Sequence, residues 1–364
     1  MQITSVSDEL KKVCWEKVPA AALLACGFFF GTAKLARAQA AALPPVTVGA
    51  GVQSSFVNNS PEGGDSTQNF QLNSVRLYVN GTAAKDIKLM FNTEYDGPTN
   101  KITVLDAAAR FELSNTVNFW VGRFLPPSDR ANLYGPYYAN HWAVYQDGVQ
   151  DGYPFLATGR DNGAIYWGQF GMLKVSGGLF DGPTTTGDKE LLVAGRAQLD
   201  FWDAEDGYYL NGTYYGDKNL LAVGGAVQAQ DGNTAYNGDF LLEKKLGGGG
   251  VITVESEFAK YDKLGGYNSH YGVDQGGYGL VSYLFPSMMG LTGRLQLLGK
   301  YGEAQFRNGL TPADKDYDQK TTEVDFNYVI RQFNARVMLF YLQKNFSAVQ
   351  ANDKQVGLGF QLQI

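Results

Sequence analysis

The sequence predicts an all-β protein, a transmembrane antiparallel β-barrel of sixteen strands. Three observations carry this. Long segments alternate apolar and polar side chains with a period of two, which gives each strand one oily and one polar face. The apolar faces stay almost free of charge over about ten residues, the length a membrane strand tilted near 45° needs, whereas strands in soluble proteins average roughly 5–6. The last stretch, "QVGLGFQLQI", is itself such a strand, with Val356, Leu358, Phe360, Leu362 and Ile364 opposite Gln355, Gly357, Gly359, Gln361 and Gln363. A final strand of this kind pairs with the first, because a closed barrel leaves no unpaired edge in lipid.

From the N-terminus, residues 1–40 read as a cleaved secretory signal peptide ahead of a barrel domain over 41–364. Lys11, Lys12 and Lys17 precede or open the apolar run "VPAAALLACGFFFGTA", and "KLARAQA" then offers small residues at Ala36, Ala38 and Ala40. The run is 16 residues long, short of the roughly 20 a spanning helix requires. "LLAC", ending at Cys26, also fits an acylation site, but the "GFFFG" that follows is very apolar for a lipoprotein start. Both cysteines, Cys14 and Cys26, lie in this leader, so the remaining chain has neither disulfide nor thiol chemistry.

Strands are expected near 46–57, 70–81, 86–95, 102–113, 116–124, 161–169, 172–180, 190–201, 220–230, 235–245, 251–261, 273–285, 291–303, 320–331, 333–345 and 354–364. Ile87, Leu89, Phe91 and Tyr95 alternate with Lys88, Asn92 and Glu94, and Val324, Phe326, Tyr328 and Ile330 with Glu323, Asp325 and Asn327. Aromatics such as Tyr78, Tyr95, Tyr283 and Phe346 gather near strand ends, as interface girdles do. Periplasmic connections of such barrels are the short ones. "KLGGGG" (245–250), "FPSMMG" (285–290) and "RQFN" (331–334) are short, while 264–272, 304–319 and 347–354 are longer and polar. The count from either end agrees only if 202–219 is one periplasmic connection and "DGYYLNGTYYGD" (206–217) is not a seventeenth strand.

The longest connection is 125–160. With Tyr134, Tyr137, Tyr138, Trp142, Tyr145 and Tyr153 it is too aromatic for a solvated tail, so it is expected to fold into the barrel, with a subunit-contact or surface role as the alternative. Pore-lining and constriction candidates are Arg76, Lys88, Glu94, Asp106, Arg110, Arg196, Asp200, Arg294, Asp325 and Arg336 from strands, with Asp129, Arg130 and Tyr134 from this connection. Further lumen acids (Asp86, Glu112, Asp239, Glu243, Glu255, Glu257, Glu323) outnumber further bases (Lys300, Arg331), so the balance gives no support to anion selectivity. Arg123 breaks the pattern, since alternation points it to lipid; a rim position or a bulge resolves this.

Three stretches, "VNFWVGRFLPPSDR" (117–130), "GRAQLDFWDAEDGYYLNGTYYGDKNLLAVGGAVQAQ" (195–230) and "DFLLEKKLGGGGVITVESEFAKYD" (239–262), resemble the phosphate-selective porin O/P family of Gram-negative outer membranes. The resemblance implies a sixteen-stranded, trimeric diffusion channel with its third extracellular loop folded inward. It also implies insertion by the barrel-assembly machinery; chains of that family usually end on Phe, whereas this one ends on Ile364, with Phe360 close by.

Catalysis is not expected. Hydrolysis needs a positioned base, and the only histidines, His141 and His270, fall in connections; Asp147 and Asp151 are the acids nearest to His141. Neither a metal nor a cofactor is expected. A net charge of −6 argues against nucleic acid as a partner. The expected function is a Gram-negative outer-membrane porin, a homotrimer in lipid and lipopolysaccharide that passes small hydrophilic solutes. The alternative is a structural or adhesive barrel with a closed pore and partner-binding loops.

Overall fold

The computed structural model describes residues 45–149, 159–182, 190–266, 268, 270–290, 292–347 and 350–364. The leader, Asp151 and Tyr153 lie outside the described residues. Sixteen strands form one closed barrel: β1 (Val46–Pro61), β2 (Thr67–Ala84), β3 (Ile87–Asp96), β4 (Lys101–Glu112), β5 (Asn118–Phe124), β6 (Asp161–Phe170), β7 (Leu173–Phe180), β8 (Leu192–Asp200), β9 (Leu220–Gln230), β10 (Asn233–Lys245), β11 (Val251–Asp262), β12 (Tyr271–Leu284), β13 (Arg294–Gly309), β14 (Tyr317–Arg331), β15 (Ala335–Phe346) and β16 (Asp353–Gln363). Each pairs antiparallel with its sequence neighbours, and β16 closes on β1 with Leu362 opposite Val52 and Leu358 opposite Phe56.

The two faces separate as the alternation requires. On β16, Leu358, Phe360 and Leu362 are exposed on the outside, while Gly357, Gly359, Gln361 and Gln363 are buried inside. Leu89, Val121, Val193, Val281 and Phe326 extend the exposed apolar exterior around the barrel. An apolar belt of this extent is stable only against hydrocarbon or a partner surface.

Two sequence expectations are corrected here. The connection placed at 304–319 is shorter, because β13 continues to Gly309 and β14 begins at Tyr317. Phe306 and Tyr317 keep the inward parity there, and their rings stack with centroids 4.4 Å apart. Asp86 sits in the β2–β3 turn at φ 62°, and Arg331 is exposed at the end of β14, so neither faces the lumen. Inside the barrel, a Cβ on Gly51 would meet the Tyr137 ring at 2.6 Å, and one on Gly359 the Trp142 ring at 2.5 Å.

Arg123 is the penultimate residue of β5, paired with Ala107 and Asn162 in an unshifted register, so the rim position explains it. Register shifts occur instead at Val329/Arg331 between β14 and β15, and at Gln53/Ser54, Thr82/Ala84 and Asn92/Thr93, on the wall formed by β1 to β4. Bulges re-aim side chains, and this wall borders the cavities described below.

Candidate functional site in the barrel interior

Two connections supply the interior, one from each end of the barrel. The β5–β6 connection begins "FLPPSDRANLYGPYY". Asp129 caps a helix, α1 (Arg130–Tyr138), by accepting from the Asn132 amide at 2.6 Å. A short acceptor side chain just outside the first turn satisfies an otherwise orphaned amide. Gly135, at φ 64°, interrupts α1, and Pro136 starts its second turn, where a missing N–H costs nothing.

From α1 onward, this segment bonds to inward side chains around the barrel. The Tyr134 hydroxyl donates to Glu255 at 2.8 Å, and Gln361 donates to the Tyr137 carbonyl at 2.9 Å. Asn140 donates to Ser282 at 2.9 Å, and Arg336 to the Ala139 carbonyl at 2.6 Å. The amides of Trp142 and Ala143 both donate to Glu323, at 3.1 and 2.7 Å, and Trp142 also to Asp325 at 3.1 Å. The reason is elementary: irregular backbone in a closed interior must find partners for its amides and carbonyls, and the barrel's carboxylates, amides and guanidinium groups provide them.

Residues 202–219, between β8 and β9, carry no strand, as expected. They enter from the end where β1 begins and β16 finishes, the terminal end, and meet the first connection. Leu210 N donates to Leu133 O at 3.4 Å, Gly212 N to Tyr138 O at 2.9 Å, and the Tyr208 hydroxyl to Leu125 O at 2.9 Å. Glu205 grips Arg130 through both carboxylate oxygens, with one N–O distance of 3.0 Å, and neither side chain has any exposed surface. Glu243 receives the Thr213 hydroxyl and the amides of Tyr214 and Gly216 at 2.7 to 2.8 Å. A Cβ on Gly212 would approach Asn140 N to 2.9 Å, so glycine permits the close crossing.

The electrostatics follow from this burial. Desolvation works against the Arg130 charge, but Glu205, Asp239 and Glu255 outweigh it and hold the guanidinium ionised. Glu205 is likewise held below the usual carboxylate range by Arg130, against its burial. Asp129 is pushed up to about 7 by burial, opposed by its bond from Asn132 and reinforced by Asp239. Burial, with Lys300 and Arg336 beside it, holds His141 well below its ordinary value, and a neutral Nε2 accepts from Lys300 at 3.0 Å.

The candidate residues therefore divide into groups. Arg196 pairs with Asp239 at 2.5 and 2.8 Å, and Asp200 accepts from Gln198 and the Glu205 amide; with Asp129, Arg130 and Tyr134 they lie in a buried packing cluster. Asp325 and Arg336 anchor the first connection on the opposite wall. Arg294 donates to the carbonyls of Phe285, Gly249 and Tyr215 at the terminal end. Arg76, Asp106 and Arg110 line a cavity of 570 Å³ with Arg160, Tyr78 and Tyr209. Glu94 lies behind it and pairs with Arg76 at 2.9 Å, while Arg160 meets Asp106 at 3.5 Å. A second cavity of 520 Å³, reached by Lys88, shares Arg110 and Tyr209 with the first. Sequence reading missed Glu205, Tyr208, Tyr209 and Tyr214, although four tyrosines in "DGYYLNGTYYGD" carry the signal that marked 125–160 as packed.

No protein-family model matches the chain, and no curated protein matches it. Solved structures do. Salmonella typhi OmpF in complex with daunomycin superposes with a TM-score of 0.62 at 11% identity, covering 88% of this chain and 98% of that one. Pseudomonas putida OprB at high pH gives 0.58 at 9% identity over 88% and 94%. Outer-membrane expressed OmpT of Vibrio cholerae gives 0.52 at 13% identity over 88% and 97%. Identities this low establish the fold: a sixteen-stranded closed barrel related to several outer-membrane barrels, and not specifically to the phosphate-selective porin O/P family. This fold, with its apolar exterior, places the chain in the outer membrane of a Gram-negative bacterium. One expectation is overturned. OmpT structures recur among the matches, and with that likeness the exclusion of enzymatic activity, drawn from scarce histidine, is withdrawn.

Proposed function

We propose that the barrel is a passive channel for small hydrophilic solutes, with its open lane along the wall of β1 to β5 and the rest of its interior filled by the two inserted connections. The observation that carries this is the pair of cavities wide enough to hold water, 570 and 520 Å³, which share Arg110 and Tyr209 on that wall. Among the described residues, the inward charges of Arg130, Glu205, Arg196, Asp239, Glu323 and Arg336 are engaged in packing. In this reading the β5–β6 connection is the inward third extracellular loop of a porin, 202–219 enters from the periplasm, and Arg76, Glu94, Asp106 and Arg110 set the field across the lane. Selectivity follows from charge at the narrowest point. The same reading makes 1–40 a cleaved export signal and the assembly a homotrimer, in keeping with the phosphate-selective porin O/P resemblance.

Planar-bilayer recording of the purified barrel tests it. Stable unitary steps with a defined reversal potential under a salt gradient are expected; their absence overturns the channel. A second reading, a closed structural barrel with partner-binding loops, is favoured by the bonds between the two inserted segments, and silent bilayers would select it.

A further inference from the structure

We propose that the 520 Å³ cavity at the terminal end is a binding site for a neutral, polyhydroxylated solute of monosaccharide size. Its volume falls within the range of about 300–1,000 Å³ that ligand pockets occupy. Its wall is aromatic: Trp120 lies 6.3 Å from Trp167, 5.0 Å from Tyr208 and 5.6 Å from Tyr209 between ring centroids. Around these rings stand amide and hydroxyl groups, among them Asn118 of β5 and Ser114 and Asn115 of the β4–β5 turn. Rings beside amides and hydroxyls suit a molecule with C–H groups on its face and hydroxyls on its rim.

The charges define the class further. Lys88 is 2.5 Å from Glu112, Arg110 is 3.7 Å from Glu112 and covers the Trp120 ring at 5.3 Å, and Asp206 is 2.8 Å from Lys218. Every ionic group at this cavity already faces an opposite charge, so an ionic ligand would have to break a pair, whereas a neutral one accepts bonds from or donates bonds to both signs. Within this wall, the indole N–H groups of Trp120 and Trp167 are buried without an acceptor. Buried donors of this kind are rare in finished interiors, and a small turn of either ring toward a seated hydroxyl would satisfy one. The role of the site in uptake rests on the channel reading; the binding does not.

The test is calorimetric titration of D-glucose into the detergent-solubilised full barrel, with bilayer recording in parallel. Saturable binding is expected, weakened at least tenfold by Asn115→Trp, which places a bulky ring at the mouth from an exposed turn, and by Trp120→Phe. Gluconate is expected to bind more weakly than glucose. No saturable heat, equal binding of gluconate, or binding unchanged by Asn115→Trp overturns the site. Should Trp120→Phe fail to fold, the turn variant decides alone. A conducting barrel without glucose binding defeats the site and spares the channel; glucose binding to a silent barrel does the reverse.

Discussion

Arg130 shows what a single residue does in this interior. Its guanidinium is wholly enclosed and Glu205 meets it in a two-pronged pair. Removing one member of such a pair leaves an uncompensated buried charge, typically costing about 3–5 kcal/mol. Glu205→Gln is expected to fall in that range by denaturant unfolding in detergent, and Glu205→Gln with Arg130→Met to recover much of the loss. A double variant as unstable as the sum of the singles would show that the pair is not coupled. The neighbouring Asp129 gives a pH dependence. Its folded-state value is about 7, against about 3.9 for an unfolded aspartate. Between these values the folded chain holds a proton that the unfolded chain has lost, so this group's stabilisation is full below about pH 4 and is lost as pH rises to about 7. Asn also serves as an N-cap. Asp129→Asn should therefore keep α1 and flatten the melting profile between pH 4 and 8; parallel profiles for both proteins would remove the inference.

At the scale of elements, the crossing of the two connections sets how much lumen is left. Gly212 lies where they touch, 2.9 Å from Asn140 N for an added Cβ. Gly212→Val forces the segments apart. Overpacking of this kind costs about 1–3 kcal/mol, and unit conductance is expected to rise beyond the wild-type spread. Unchanged conductance in a folded variant would mean that the crossing does not control the lane. These connections also mark the limit of what the sequence discloses. Alternation tells which face of β11 carries Glu255 and Glu257, because the two faces of a strand are separated by geometry alone. It does not tell whether that face meets water or another segment of chain. Hence the lumen side of Arg196, Asp239 and Asp325 was legible, while their use as packing partners was not. In 125–149 the aromatic content goes with burial at Tyr134 and Tyr137. In 206–217 the same content sits in a segment that alternation treats only as strand or connection, which leaves Tyr208, Tyr209 and Tyr214 without a role.

For the whole molecule, the sixteen strands, their order and the closure of β16 on β1 were all readable, since lipid and interior impose opposite chemistry on successive residues along every strand. That premise yields a depth-dependent prediction on one face of one strand. Leu358 is central in β16, between Phe56 and Leu339, and Leu362 lies four residues nearer the terminal end on the same outer face. An Arg on the lipid face of a barrel costs about 2–4 kcal/mol at the bilayer midplane and about 0–1 near the interface. Leu358→Arg should therefore destabilise the barrel in lipid vesicles by several times more than Leu362→Arg. On a soluble barrel both substitutions would place a charge in water at an already exposed site, and both would cost almost nothing. Equal costs at the two positions would contradict a bilayer around this surface; a steep difference is produced by a hydrocarbon slab and by no aqueous environment.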